Sequence, residues 1–196
     1  MSEGPQEKWA HEQCVRRTIL AAFREAAGKL WGRDGLVEIG ANMSADCRAD
    51  VLEPLVLKHT WYPERYTMEW YDAAWAGPGA RRREAFLQLI DRMMDAGFGR
   101  VRKVLVGLAS PHTVIAKAAE LWRHDHTHGS LVVDRFDRAD RAAGATLTDH
   151  VYVETPLSRL AIAEVFRYAV SLAARGRVEQ THFMSEGSLR VRLTWG

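Results

Sequence analysis

Trp122-Arg123-His124-Asp125-His126-Thr127-His128-Gly129-Ser130-Leu131-Val132-Val133 is the stretch in which the apolar rhythm of the chain changes. On its N-terminal side apolar residues recur at steps of three and four, the repeat of a helix face. On its C-terminal side they alternate, the repeat of a pleated strand. The alternation is cleanest at the end of the chain, where Leu189, Val191, Leu193 and Trp195 point one way and Arg190, Arg192 and Thr194 the other. That pattern belongs to a sheet with one buried and one wet face. Beyond position 129 the spacing predicts strands over 130–136 and 146–154, paired as a hairpin, with Leu147, Asp149, Val151 and Val153 on one side of the second. Thr155-Pro156 then opens a helix with Leu157, Ala161, Val165, Ala169 and Leu172 inward, closed at Gly176. Strands over 178–183 and 189–195 follow, turning at Ser185-Glu186-Gly187.

Working back from Trp122, Ser110-Pro111 reads as an N-cap and first helical residue, ahead of Val114, Ala118 and Trp122 on one face. A helix over 81–96 carries Phe86, Ile90 and Met93 and meets Gly97 as its stop; Phe98, Val101, Leu105 and Leu108 resume the helical period. Pro63 opens another, with Tyr66, Trp70 and Ala73 or Ala74 on one face, ended by Gly77-Pro78-Gly79. Ser44 caps a short helix reaching Leu52, and residues 28–43, with Gly32, Gly35 and Gly40, show no clear period. The first helix spans 6–27, with Val15, Ile19, Ala22, Phe23, Ala26 and Leu30 in step, and ends at Gly28. The expectation is one α+β domain over 1–196: a helical N-terminal half, 1–125, packed on a small antiparallel sheet of β-β-α-β-β order, 126–196.

Bulk properties narrow the function classes. Hydrophobic residues make up 47% of the 196, enough for a substantial core, and no linker or repeat divides the chain. With 27 Lys+Arg against 25 Asp+Glu the net charge is +2, too balanced for phosphate-backbone attraction, so nucleic acid is not the expected partner. The two cysteines, Cys14 and Cys47, lack CxxC spacing and suit a reducing compartment. The polar start, 1–8, does not read as an export signal, and the apolar runs are far below the roughly 18 residues of a membrane span. The protein is therefore expected in the cytoplasm.

Four clusters carry the candidate chemistry. His124, His126 and His128 alternate where helix gives way to strand, so that imidazoles on one side could ligate zinc, copper or haem iron; equally, histidines at a helix C-terminus satisfy its carbonyls and dipole. Trp61, Tyr62, Tyr66, Trp70, Tyr71 and Trp75 put six aromatics into fifteen positions. Such rings could line a pocket for a flat or acyl ligand, or present anchors to a partner, or fill a core. The run Asp134 to Arg141 alternates acids with Arg135, Arg138 and Arg141 and reads as a solvated hairpin loop. Arg81-Arg82-Arg83 opens a helix against its macrodipole, which hints at an anionic partner. No GxSxG elbow, phosphate-binding loop, HExxH or dinucleotide fingerprint is present.

Leu121-Trp122-Arg123 through Gly129-Ser130-Leu131, Asp149-His150-Val151-Tyr152, Pro156-Leu157-Ser158-Arg159, Arg167-Tyr168 and Leu193-Thr194-Trp195, taken in this element order, resemble a superfamily. It includes haem nitric-oxide-binding domains, vinyl-reductase-type small-ligand domains and TRAPP-type trafficking subunits. The same segments resemble an uncharacterised bacterial family of similar length. The resemblance covers about residues 80–196 and implies a ligand-pocket or interaction module, often dimeric. Haem nitric-oxide-binding domains hold the propionates with Tyr-x-Ser-x-Arg, and none of Tyr62, Tyr66, Tyr71, Tyr152 and Tyr168 begins that motif. The expected function is a non-enzymatic sensory or adaptor domain for a small apolar or aromatic ligand or a protein partner. Its ligand contacts are drawn from Trp61, Tyr66, Trp70, Tyr71, Trp75 and Trp122. The alternatives are a metal or haem protein centred on His124, His126 and His128, with enzymatic activity open, and a structural homo-oligomer, most simply a homodimer.

Overall fold

The structure is a computed structural model that describes residues 7–53, 56–107, 109–134, 141–174 and 176–196, with residue 7 and residues 99–106 described by their backbone alone. The alternating run at 135–140, the polar start at 1–6, the placement of Val101, Leu105 and Leu108 side chains and the expected strand end at 136 lie outside the described residues. The chain is α+β and forms two compact units, Met1–Gly97 and Phe98–Gly196. No helix among the described residues is long and apolar enough to cross a membrane.

In the first unit a 3-10 turn, Glu7–Trp9, precedes strand β1, Cys14–Arg16, which pairs antiparallel with β2, Trp61–Pro63. The pairing is bracketed by Arg17 N–H donating to Thr60 O and Glu64 N–H donating to Gln13 O. These short strands stand where a helix from residue 6 was expected: Val15, in step with the helical period, is a buried strand residue instead. Helix α1 spans Arg17–Ala41, past the stop expected at Gly28. One glycine in a helix costs only about 1 kcal/mol, and burial of Ala26 and Ala27 outweighs it. The true break is Gly32, at φ 65 and ψ −161. It interrupts the helical geometry and turns the buried face, which is why 28–43 shows no single period.

Ser44 caps α2, Ala45–Cys47, accepting from Cys47 N–H at 3.2 Å, and a π turn continues through Arg48–Leu52. Helix α3, Glu64–Ala76, follows β2 directly, with Pro63 as N-cap and Gly77 as C-cap. It buries Glu64, Tyr66, Thr67, Trp70, Tyr71, Ala73 and Ala74, the face expected from the sequence widened by Glu64, Thr67 and Tyr71. Helix α4, Arg83–Gly107, runs through Gly97 and across the boundary of the units, so Gly97 is not its stop. Arg81, Arg82 and Arg83 are exposed at its start, where Glu84 supplies the acid that the dipole favours.

The second unit has α5, Pro111–Ala116, capped by Ser110 as expected, then α6, Ala118–Asp125. Strands β3, Ser130–Val133, and β4, Ala142–Thr148, come next, then helix α7, Pro156–Ser171, and strands β5, Val178–Ser185, and β6, Ser188–Trp195. The sheet is antiparallel in the order β3-β4-β6-β5, which bears out the β-β-α-β-β reading. Its register brings Leu131, Leu147 and Leu189 into one row, and Ala145 opposite Val191. All five are buried, each large one contributing about 1.5–3 kcal/mol. Helix α7 packs against β5 and β6, and α5 against β4. The β5-β6 hairpin turns at Glu186-Gly187, both at positive φ, as a type I′ turn requires.

Two expectations are corrected here. The second strand begins at Ala142 and ends at Thr148, because Asp149 takes φ 55 and Val151–Val153 forms a 3-10 turn. Helix α7 buries Ser158, Ala161, Ile162, Phe166 and Val170, while Leu157, Val165, Ala169 and Leu172 are only half-buried. It ends at Ser171, before Gly176.

Candidate functional site

The change of rhythm that begins at Trp122 builds a cluster of rings in the second unit. Helix α6 ends at Asp125, and His126 leaves it with extended backbone. Its imidazole lies flat on the Trp122 ring, 3.9 Å between centroids. The indole N–H of Trp122 donates to the His128 carbonyl at 3.0 Å, which holds the helix end against the start of β3. At the same open end of the β3-β4 hairpin, just past β4, His150 stands edge-on to Trp122 at 4.9 Å and to His126 at 5.4 Å, with Tyr152 beside it at 4.5 Å. His150 and Tyr152 are both buried, although the alternation at 146–154 had placed them together on the polar face of a strand. The 3-10 turn after Asp149 brings them inward.

Local hydrogen bonds fix these groups. Tyr152 N–H donates to His150 Nδ1 at 3.3 Å, so His150 caps the turn and its neutral ring carries the proton on Nε2. Ser158 Oγ donates to the Tyr152 carbonyl at 2.9 Å, and Thr155 caps α7 by accepting from Ser158 N–H. His126 and His150 bring ring nitrogens within 4.8 Å of one another. The other two histidines of the alternating trio face elsewhere: His124 Nδ1 pairs with Asp125 at 2.8 Å, and His128 Nδ1 with Thr127 Oγ1 at 2.8 Å, both exposed. His124, His126 and His128 therefore do not converge on one point.

In the first unit α3 supplies a wall of rings. Trp70 stacks on Phe23 of α1 at 6.0 Å; Tyr71 meets Phe23 and Phe86 edge-on, and Trp75 meets Phe86. Tyr66 is anchored by its hydroxyl, which donates to Asp50 Oδ2 at 2.8 Å under the Arg65 guanidinium; burial first, then Asp50, raises its pKa. Trp61, at the start of β2, lies under Arg16. Five of the six residues expected to contact a ligand thus belong to the first unit and Trp122 to the second. The helical spacing of Tyr66, Trp70 and Tyr71 was visible in the sequence. Their partners Phe23 and Phe86 were read on the faces of two other helices, and the spacing carried no sign that these faces meet α3.

Polar atoms in this wall are unevenly provided for. Thr67 Oγ1, Trp70 Nε1 and Trp9 Nε1 are buried and have no hydrogen-bond partner among the described residues. Cys14 and Cys47 are buried thiols that form no disulfide. Burial, reinforced by Glu12 and Glu64, pushes Cys14 up to about 11, and burial raises Cys47 as well, so neither is a ready nucleophile. An open groove of about 550 Å³ runs along α1, lined by Arg17, Ala21, Arg24, Gly28, Leu36 and Leu57 among others; the α3 rings do not line it.

No protein-family model matches the sequence, and no curated protein is significantly similar to it. Among solved structures the chain is similar to the Fe(II) unliganded H-NOX protein from K. algicida, with a TM-score of 0.67 at 9% identity over 93% of this chain and 97% of that one. It is similar to an oxygen-binding H-NOX domain related to soluble guanylate cyclases, with a TM-score of 0.61 at 8% identity over 92% and 95%. A mutant T. tengcongensis H-NOX gives a TM-score of 0.63 at 10% identity over 92% and 97%. At such identities the likeness concerns the fold. The resemblance read from residues 80–196 is borne out at that level, extends over nearly the whole chain, and makes the architecture that of the H-NOX domains.

Proposed function

We propose that this chain is a non-enzymatic sensory or adaptor module whose ligand is a small apolar or aromatic molecule, received by the ring-rich face of α3. The observation that carries this reading is the whole-chain likeness in fold to H-NOX domains, one of which is described as oxygen-binding. The rings of α3 support it, because stacked and edge-on aromatics recognise flat apolar molecules. Trp61, Tyr66, Trp70, Tyr71 and Trp75 are the proposed contacts, and Trp122 is the corresponding candidate in the second unit. Residence in the cytoplasm belongs to the same reading and is supported by the two cysteines remaining thiols. So does a homodimer, supported by the exposed Phe183 and Met184 on edge strand β5.

The fold raises the question of haem, and His150, the buried imidazole edge-on to Trp122, does not fit an iron ligand. An iron ligand gives one ring nitrogen to the metal and donates from the other. His150 Nδ1 accepts from Tyr152 N–H, which leaves the proton on Nε2. His124 and His128 are exposed.

Native mass spectrometry and a thermal-shift screen of flat apolar compounds test the proposal. A co-purifying small molecule, or a compound raising the melting temperature, is the expected outcome; a ligand at 100 times its Kd adds about 2.7 kcal/mol. Bare protein with flat screens would sink it. A Soret band in the fresh protein, or stoichiometric metal by elemental analysis, would replace it with a metal-centred function.

A further inference from the structure

Beyond the buried carboxyl of Glu64 at its start, helix α3 buries the Thr67 hydroxyl and the Trp70 indole N–H among its rings, both at 0% exposure and without a hydrogen-bond partner among the described residues. The shortage is local. On the same helix Tyr66 reaches Asp50, and Arg65 reaches Glu12 and Glu69. Native interiors leave few buried donors unmet, and each such group calls for a partner. Residues three apart on a helix are neighbours on its surface, so one small group can serve both.

The chemistry of that group follows from what the two side chains offer. The indole N–H only donates, while the threonine hydroxyl donates or accepts. A group shared by both must therefore contain an acceptor, and a neutral one, because a buried ion here would need a paired charge. We infer that Thr67 and Trp70 form a subsite for one neutral oxygen acceptor, either a water molecule or the carbonyl oxygen of a bound ligand. The second source rests on the ligand-sensing reading proposed above; the first does not.

The test uses the full chain with its indole nitrogens labelled, the Trp70 signal being assigned by its loss in Trp70→Phe. Thr67→Val comes first, since it keeps the side-chain shape and removes the hydroxyl. If the hydroxyl has a partner, the variant melts at lower temperature and the wild-type Trp70 indole proton shows a cross-relaxation signal with long-lived water. If the variant melts higher and that signal is absent, the subsite does not exist and the inference is overturned.

The two sources are then separated by titrating acetophenone and isopropylbenzene, matched in shape except for the carbonyl. Displacement of the water signal by acetophenone alone, with about tenfold tighter binding that falls toward parity in Thr67→Val, assigns the acceptor to the ligand. A water signal that survives both compounds assigns it to water. In that case the inference stands while these probes count against the ligand-sensing reading.

Discussion

His150 owes its place to a residue with no side chain. Gly129 takes φ 80, and a Cβ there would come within 3.0 Å of the His150 Cβ and Cδ2. Gly129→Ala is thus strained in its backbone and crowded against the imidazole at once. It should cost about 1–2 kcal/mol and shift the His150 ring signals; urea melts that match wild type would refute this account. Cys14 gives a second prediction, in pH. Burial pushes its thiol from the ordinary 9.0 up to about 11 in the folded protein, so above pH 9 the unfolded chain loses this proton first. Stability from Cys14 is complete below pH 9 and is lost as pH rises toward 11, by about 2 kcal/mol, and Cys47 acts in the same direction. Cys14→Ala should flatten that decline, and an unchanged slope would show that burial of the thiol is not its cause. Single residues were legible in the sequence where their role is local, as with the caps Ser44, Ser110 and Thr155. His150 was not, because its burial depends on one positive φ at Asp149.

Elements were legible in proportion to how much of their stability is their own. Helix α7 announces itself through Thr155-Pro156, and Thr155→Ala, which removes the bond from Ser158 N–H, should cost about 1 kcal/mol. Thermal melts with no loss would mean that Ser158, also bonded to the Tyr152 carbonyl, holds the helix start alone. Strand β6 was readable because its buried and exposed residues alternate. Strand β4 was not: Ala142-Ala143-Gly144-Ala145 has little strand preference of its own, and it is a strand because β3 and β6 pair with it on both sides. Strands β1 and β2 were invisible for the same reason, being three residues each and defined only by one another. Glycines misled in α1 and α4, where Gly28 and Gly97 are helical residues.

The molecule as a whole carries its H-NOX likeness through an arrangement of elements, since 9% identity leaves little else to preserve. The candidate site was legible only in part. A stripe of rings on α3 follows from spacing, whereas the meeting of Trp122, His126, His150 and Tyr152 depends on a hairpin that closes over more than twenty residues of chain. Dimerisation belongs at this scale too. β5 is an eight-residue edge strand whose only charge is Glu179, with Phe183 53% exposed, and such edges pair readily. Sedimentation should find a dimer that Phe183→Lys weakens, and a monomer at high concentration would exclude it. The break in α1 has one more consequence, for chemical synthesis rather than for genetics. At φ 65 and ψ −161, Gly32 occupies backbone that is closed to every coded residue with a side chain. Its mirror image, φ −65 and ψ 161, is relaxed polyproline-like chain, so a D-alanine introduced at position 32 would find its own hand already built into the fold.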